Sequence, residues 1–128
     1  MKEPRIKILV VDDDESVCQV LRAGLEMHRL TVRCESRSPE ALKACLEFHP
    51  DLVLLDVDMP LKDGGEVAAE LGRHPALART PVIFLSSLIR KQEATKRSES
   101  GEIFLSKPIP ISELVARIRA VLQPQTPP

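Results

Sequence analysis

Four acidic positions, a hydroxyl and a lysine stand at the ends of apolar runs in this chain. Ile8-Leu9-Val10-Val11 stops at Asp12, Asp13 and Asp14, and Leu52-Val53-Leu54-Leu55 stops at Asp56. Val82-Ile83-Phe84-Leu85 stops at Ser86, and Ile103-Phe104-Leu105-Ser106 stops at Lys107. If Asp12, Asp13 and Asp56 converge to within about 5 Å, each pair of carboxylates repels by roughly 3 kcal/mol at an effective dielectric near 20. A hard divalent cation relieves such crowding, and Mg2+ commonly takes one or two carboxylates together with water and phosphate oxygens. Lys107 adds a positive charge and Ser86 a hydroxyl donor. A cation, a lysine and a hydroxyl around one carboxylate could hold a phosphoryl group, and Asp56 could itself be the nucleophile of an aspartyl phosphate. The simpler reading is that Asp12 to Asp14 only cap a helix, where Asp is favoured. We keep that reading for Asp14. For Asp12 and Asp13 the coincidence with Asp56, Ser86 and Lys107 favours the site.

Convergence requires a particular frame. Strands alternate with helical patterns, which predicts a parallel sheet covered on both faces. Strand one covers about 6–12 and is followed by a helix at about 15–28, with Val17, Leu21 and Leu25 near four-residue spacing. A weak second strand, Thr31 to Cys34, precedes a helix opened by Ser38-Pro39 as a partial cap and closed near His49-Pro50. Strand three is 52–56. A turn-rich loop from Met59 to Gly65 leads to a short helix bearing Val67, Ala68 and Leu71. Strand four runs from Pro81 to Ser86, strand five covers about 102–106, and the last helix carries an apolar stripe from Ile111 to Leu122. Right-handed crossovers with one reversal leave few topologies. The expected fold is α/β, a doubly wound five-stranded parallel sheet of order 2-1-3-4-5 with about five helices on its two faces. That order sets strands one and three side by side, with ligands binding at their carboxyl ends.

Composition narrows the function classes. At 128 residues, 43 % hydrophobic and with a net charge of −1, the chain reads as one soluble domain over 1–122 with a disordered Pro-rich tail over 123–128. No long basic run suggests contact with nucleic acid, and no apolar stretch approaches a membrane span, so the cytoplasm is the expected location. Cys18, Cys34 and Cys45 lack metal-ligand spacing and read as small core residues, not as a disulfide or ligand set. His28, His49 and His74 fall near helix ends, which suits solvated or dipole-facing cations better than catalysis.

With these pieces in place, the chain resembles the receiver domain of bacterial two-component response regulators over about residues 5–122. The resemblance rests on Val10-Val11-Asp12-Asp13, Leu54-Leu55-Asp56, Met59-Pro60 followed by Asp63-Gly64, Pro81 to Ser86, and Phe104 to Pro108. It implies a flavodoxin-like fold of the chemotaxis-regulator type, with Asp56 as phosphoacceptor. Asp12 and Asp13 would form an acidic pair for Mg2+, and Asp58 would lend its backbone carbonyl. Ser86 would be the switch hydroxyl, Phe104 the switch aromatic, and Lys107, ahead of a cis peptide to Pro108, the phosphoryl contact. Implied partners are a sensor histidine kinase or phosphotransfer protein and a downstream protein target, with the domain monomeric or dimerising on phosphorylation. Such a domain is no classical enzyme, though it catalyses its own phosphorylation and dephosphorylation. It acts alone through protein contacts or as part of a longer regulator.

Three departures stand out. Ser87 follows Ser86 where a small Ala is more usual, which should be tolerated. Asp58 is an extra acid two residues past Asp56, and Arg90 to Gly101, where the family has an amphipathic helix, holds Ala94 as its sole apolar residue. That segment is expected to be displaced, short or partly disordered. Asp56-Val57-Asp58 also resembles the aspartate pair of haloacid-dehalogenase-type phosphatases, but Pro60 and the third-strand position fit poorly. A pseudo-receiver that only binds proteins is a further alternative, weakened by retention of Asp12, Asp13, Asp56 and Lys107.

Overall fold

A computed structural model describes residues 5–87, 95–97 and 103–123. Six strands and four α-helices are found among them. In chain order they are β1 (Lys7–Val11), α1 (Glu15–Glu26), β2 (Thr31–Glu35), α2 (Ala41–Phe48), β3 (Leu52–Asp56), α3 (Gly64–Arg73), β4 (Val82–Ser86), β5 (Thr95–Arg97), β6 (Ile103–Ser106) and α4 (Ile111–Leu122). The sheet order is β2-β1-β3-β4-β6-β5. Its first five members are parallel, in the expected 2-1-3-4-5 arrangement, with β6 as the fifth parallel strand.

The central strands are apolar throughout because both of their faces are covered. Side chains alternate between faces along each strand. Ile8, Val10, Leu52, Leu54, Ile83 and Leu85 join Leu21 and Leu25 of α1 and Leu114 and Ile118 of α4 in one core. Leu9, Val11, Val53, Leu55 and Phe84 join Ala41, Ala44 and Cys45 of α2 and Val67 and Leu71 of α3 in the other. Each fully buried Leu, Ile or Val contributes about 1.5–3 kcal/mol of transfer free energy, so the strands are pinned on both sides and their carboxyl ends are held at one edge.

Two expectations need correction. Ser38 does not cap a helix with its side chain: Ser38–Glu40 is a single 3-10 turn, and α2 begins only at Ala41. The Ser38 hydroxyl instead donates to the Pro60 carbonyl at 3.1 Å, tying the start of α2 to the loop after β3. The sheet has a sixth strand, β5, antiparallel to β6, with Lys96 opposite Phe104. It falls within Arg90 to Gly101, where a helix had been one possibility; the rest of that segment lies outside the described residues. So does the expected tail beyond Gln123. The thiols Cys18 and Cys45 are buried as expected, Cys34 is half-buried, and all three are free. His49 is the left-handed C-cap of α2, its amide donating to the Cys45 carbonyl at 2.8 Å, and His74 caps α3. No described helix is long and apolar enough to cross a membrane.

Candidate functional site

Parallel register carries Asp56 to the carboxyl edge. On β3 it pairs with Leu85 of β4, so Ser86 stands one residue further along and pairs with Ser106. Asp12 follows β1 directly, its amide donating to the Glu35 carbonyl at 3.1 Å, while the Lys107 amide donates to the Ser86 carbonyl at 2.9 Å. These backbone bonds extend the ladder by one residue and fix where each functional side chain leaves it. The Lys107-Pro108 peptide is cis.

The side chains meet. Lys107 Nζ donates to Asp12 Oδ2 at 2.7 Å and to Asp56 Oδ1 at 3.1 Å. Asp12 and Asp56 are almost fully buried, at 1 % and 6 % exposure, and Asp13 is exposed beside them. Ligand oxygens of Asp12, Asp13 and Asp56 lie within 4.8 Å of one another. Three carboxylates against one ammonium leave an excess of negative charge. Their all-oxygen donor set, with Asp13 open to solvent, fits a hard divalent cation.

Burial pushes the Asp56 carboxyl above its ordinary value, and the Asp12 charge adds to the rise. The hydrogen bond from Lys107, that lysine's charge and the Asp58 amide oppose it without cancelling it. Burial alone would pull Lys107 down. Its hydrogen bonds and charge pairing with Asp12, and then with Asp56, together outweigh burial, so Lys107 is raised.

Asp14 is separate. Its carboxylate accepts from the Ser16 amide at 2.9 Å and the Val17 amide at 3.4 Å, and these bonds with the Ser16 hydroxyl hold it below the usual carboxylate range. It is the N-cap of α1. Its own amide donates to Asp12 Oδ1 at 3.0 Å, so the helix start also orients the buried acid.

Ser86 is 4 % exposed, and Phe104 on β6 is half-buried. Phe104 stacks on Phe84, directly opposite in the parallel register, with ring centroids 4.7 Å apart. The two rings, Val57, Asp58, Ala68 and Ala69 border a cavity of about 520 Å³ alongside the site. Asp58 is exposed at its rim.

Gly64, in the Asp63-Gly64 pair, owes its role to packing. At the first turn of α3 its amide donates to the Val57 carbonyl at 3.0 Å, and a Cβ there would stand 2.5 Å from the Asp56 carbonyl oxygen. Only glycine lets the helix start press against the strand end that bears Asp56. Asp63 ahead of it makes a reciprocal capping box with Glu66. That box was legible, since Glu stands three residues after Asp.

The model of the response regulator receiver domain family matches residues 8–119. Response regulator MprA of Mycolicibacterium vanbaalenii is 36 % identical over 123 residues, covering 95 % of this chain and 52 % of that protein. The chain spans about half the length of the curated relatives it matches. A putative response regulator from Chloroflexus aurantiacus superposes with a TM-score of 0.81 at 27 % identity, over 94 % of this chain and all of the other. The BeF3-activated N-terminal receiver domain of Klebsiella pneumoniae RstA superposes at 0.76 with 31 % identity, over 92 % and 99 % of the two chains.

Proposed function

We propose, since this chain belongs to the response regulator receiver domain family, that Asp56 accepts a phosphoryl group from a histidine kinase or phosphotransfer protein and thereby switches a protein-binding face. The observation that carries this reading is a buried Asp56 bonded to Lys107, itself bonded to Asp12, with Asp13 open beside them. Asp56 attacks phosphorus as the P–N bond to the donor imidazole breaks, and the leaving nitrogen keeps the bonding electrons. A poorly solvated carboxylate is a better nucleophile than a hydrated one, and burial provides that state. Asp12, Asp13, Asp56 and the Asp58 carbonyl would hold Mg2+. When bound, the ion supplies neutralising charge to phosphoryl oxygens. Lys107 is already within hydrogen-bonding distance of Asp56 and turns to the new oxygens. The same residues serve hydrolysis, so the domain sets its own phosphoryl lifetime.

Phosphorylation adds about −1.5 to −2 charges and strong acceptor oxygens. The Ser86 hydroxyl moves to them, and Phe104 shifts towards the cavity it borders. The bistable element is the face around β6. This domain contacts proteins, not nucleic acid, and works in the cytoplasm as a monomer or a phosphorylation-dependent dimer.

The test is incubation of the chain with acetyl phosphate and Mg2+, followed by intact mass. One added phosphoryl in the wild type, absent from Asp56→Asn, is expected. Equal phosphorylation of the variant overturns the assignment. Rapid donor turnover with no adduct favours the phosphatase alternative, and no reaction at all favours a binding module.

A further inference from the structure

Outside the acidic site, the described side chains place two thiols together. Cys18 on α1 and Cys34 on β2 adjoin, and the Cys34 thiol donates to the Cys18 carbonyl at 3.3 Å. Both line one surface groove of about 280 Å³, which Arg22 also borders. Cys18 is 3 % exposed, whereas Cys34 is half-buried and is the more accessible residue of the two. We infer that Cys18 and Cys34 form an oxidisable dithiol, a modification site for hydrogen peroxide that closes reversibly to a disulfide.

The chemistry follows from the exposure. The Cys34 sulfur attacks one peroxide oxygen and the O–O bond breaks, giving a sulfenic acid and one molecule of water. The Cys18 sulfur then attacks the Cys34 sulfur. An S–S bond forms, the S–O bond breaks, and hydroxide leaves with the Cys18 proton as a second water. Both thiols are oxidised and the peroxide is reduced. A reactive cysteine is commonly a partly exposed thiol in an electropositive setting with a resolving thiol close by. Cys34 is partly exposed and lines the same groove as Arg22, with Cys18 as the adjoining thiol. Cys45 on α2 is buried in the opposite core, and burial pushes it up to about 11. It is the unreactive control.

Oxidation reaches the acidic pocket through the backbone. The Cys18 thiol donates to the Asp12 carbonyl at 3.5 Å, and the Asp12 amide donates to the carbonyl of Glu35, the residue after Cys34. Asp12 is therefore gripped on both sides by neighbours of the two sulfurs. The disulfide removes the thiol donor and ties those neighbours together. This consequence is read from the backbone at Asp12 and is independent of phosphorylation.

The experiment uses the whole chain, treated briefly with hydrogen peroxide and quenched. Intact mass should fall by about 2 Da, the two hydrogens lost on disulfide formation. A non-reducing digest should link the Cys18 and Cys34 peptides, and a thiol reductant should restore the starting mass. Cys45→Ser should behave identically. The amide resonances of Asp12, Asp13 and Asp14 should shift on oxidation of the wild type and stay fixed in peroxide-treated Cys34→Ser. Oxygen added to Cys34 without linkage, linkage through Cys45, or linkage between two chains overturns the assignment. Equal resonance shifts in Cys34→Ser overturn the route through Asp12.

Discussion

Asp56→Asn should make the metal-free domain more stable, although it removes one partner of an ion pair. The ionised Asp56 is attracted to Lys107 at 3.1 Å by about 5 kcal/mol at an effective dielectric near 20. It is repelled by Asp12 by about 3 kcal/mol on the same scale. Asp13 is exposed, so water screens its share to about 1 kcal/mol. These terms nearly cancel, and an amide oxygen still accepts from Lys107. Burial, the largest influence on Asp56, therefore decides the sign, and it opposes the charged form. We expect a gain of about 1–2 kcal/mol, which at about 4 °C per kcal/mol is a rise of roughly 4–8 °C in Tm. The acidity of Asp56 adds a second axis. Its folded pKa is raised above the ordinary carboxylate value, so just above that value the native state holds more protons than the unfolded state, and stability falls as pH rises. The advantage of the variant should thus be absent below the ordinary carboxylate range. It should grow with pH and level off once Asp56 has ionised. The assay is thermal and urea unfolding of both proteins in EDTA across that range. Excess Mg2+ should then narrow the gap, since a ligand stabilises most the native state it binds best. A less stable Asp56→Asn at neutral pH in EDTA, or a difference independent of pH, refutes the reasoning.

The other perturbations separate neighbouring roles. Asp13→Ala should weaken Mg2+ binding by at least about tenfold, whereas Asp14→Ala should leave it unchanged and lower stability through the lost helix cap; titration calorimetry giving the reverse order contradicts both assignments. Ser86→Ala should accept a phosphoryl group yet blunt the response of the Phe104 amide, and chemical-shift changes equal to those of the wild type would disprove the coupling. Gly64→Ala should destabilise the domain by about 1–3 kcal/mol, because its Cβ meets the Asp56 carbonyl; a loss in urea unfolding below about 0.5 kcal/mol, the range of ordinary surface changes, would show that α3 yields without disturbing the strand.

What could be read from the residues, and what could not, divides along one physical line. The strand ends were legible because a parallel strand buried on both faces must be apolar, so the first polar residue after the run marks the edge. Asp12, Asp56 and Ser86 were located that way, with Lys107 one residue beyond Ser106, and topology alone then brought them together. Ser38 misled because its hydroxyl has two possible partners. The local amides of a helix start are visible in sequence, but the Pro60 carbonyl, twenty-two residues on, is not. Gly64 carried no local signal, since its need for a bare Cα arises only from the Asp56 carbonyl packed against it. Strand β5 has neither alternation nor an apolar run, and is extended only through its antiparallel pairing with β6.

The same division explains how Lys107 is placed. The sequence reading set it near Asp56, but its shorter bond is to Asp12. That choice depends on burial, because Asp12 is the more deeply enclosed of the two acids and a lone carboxylate there would be costly to leave unpaired. Lys107 therefore has a structural duty to Asp12 in the resting state and a weaker hold on Asp56. Under the proposed function, turning towards a phosphoryl group on Asp56 would mean loosening its grip on Asp12, the acid that would also hold a cation. A cation held there would take over the charge of Asp12 and so free Lys107 for the phosphoryl group.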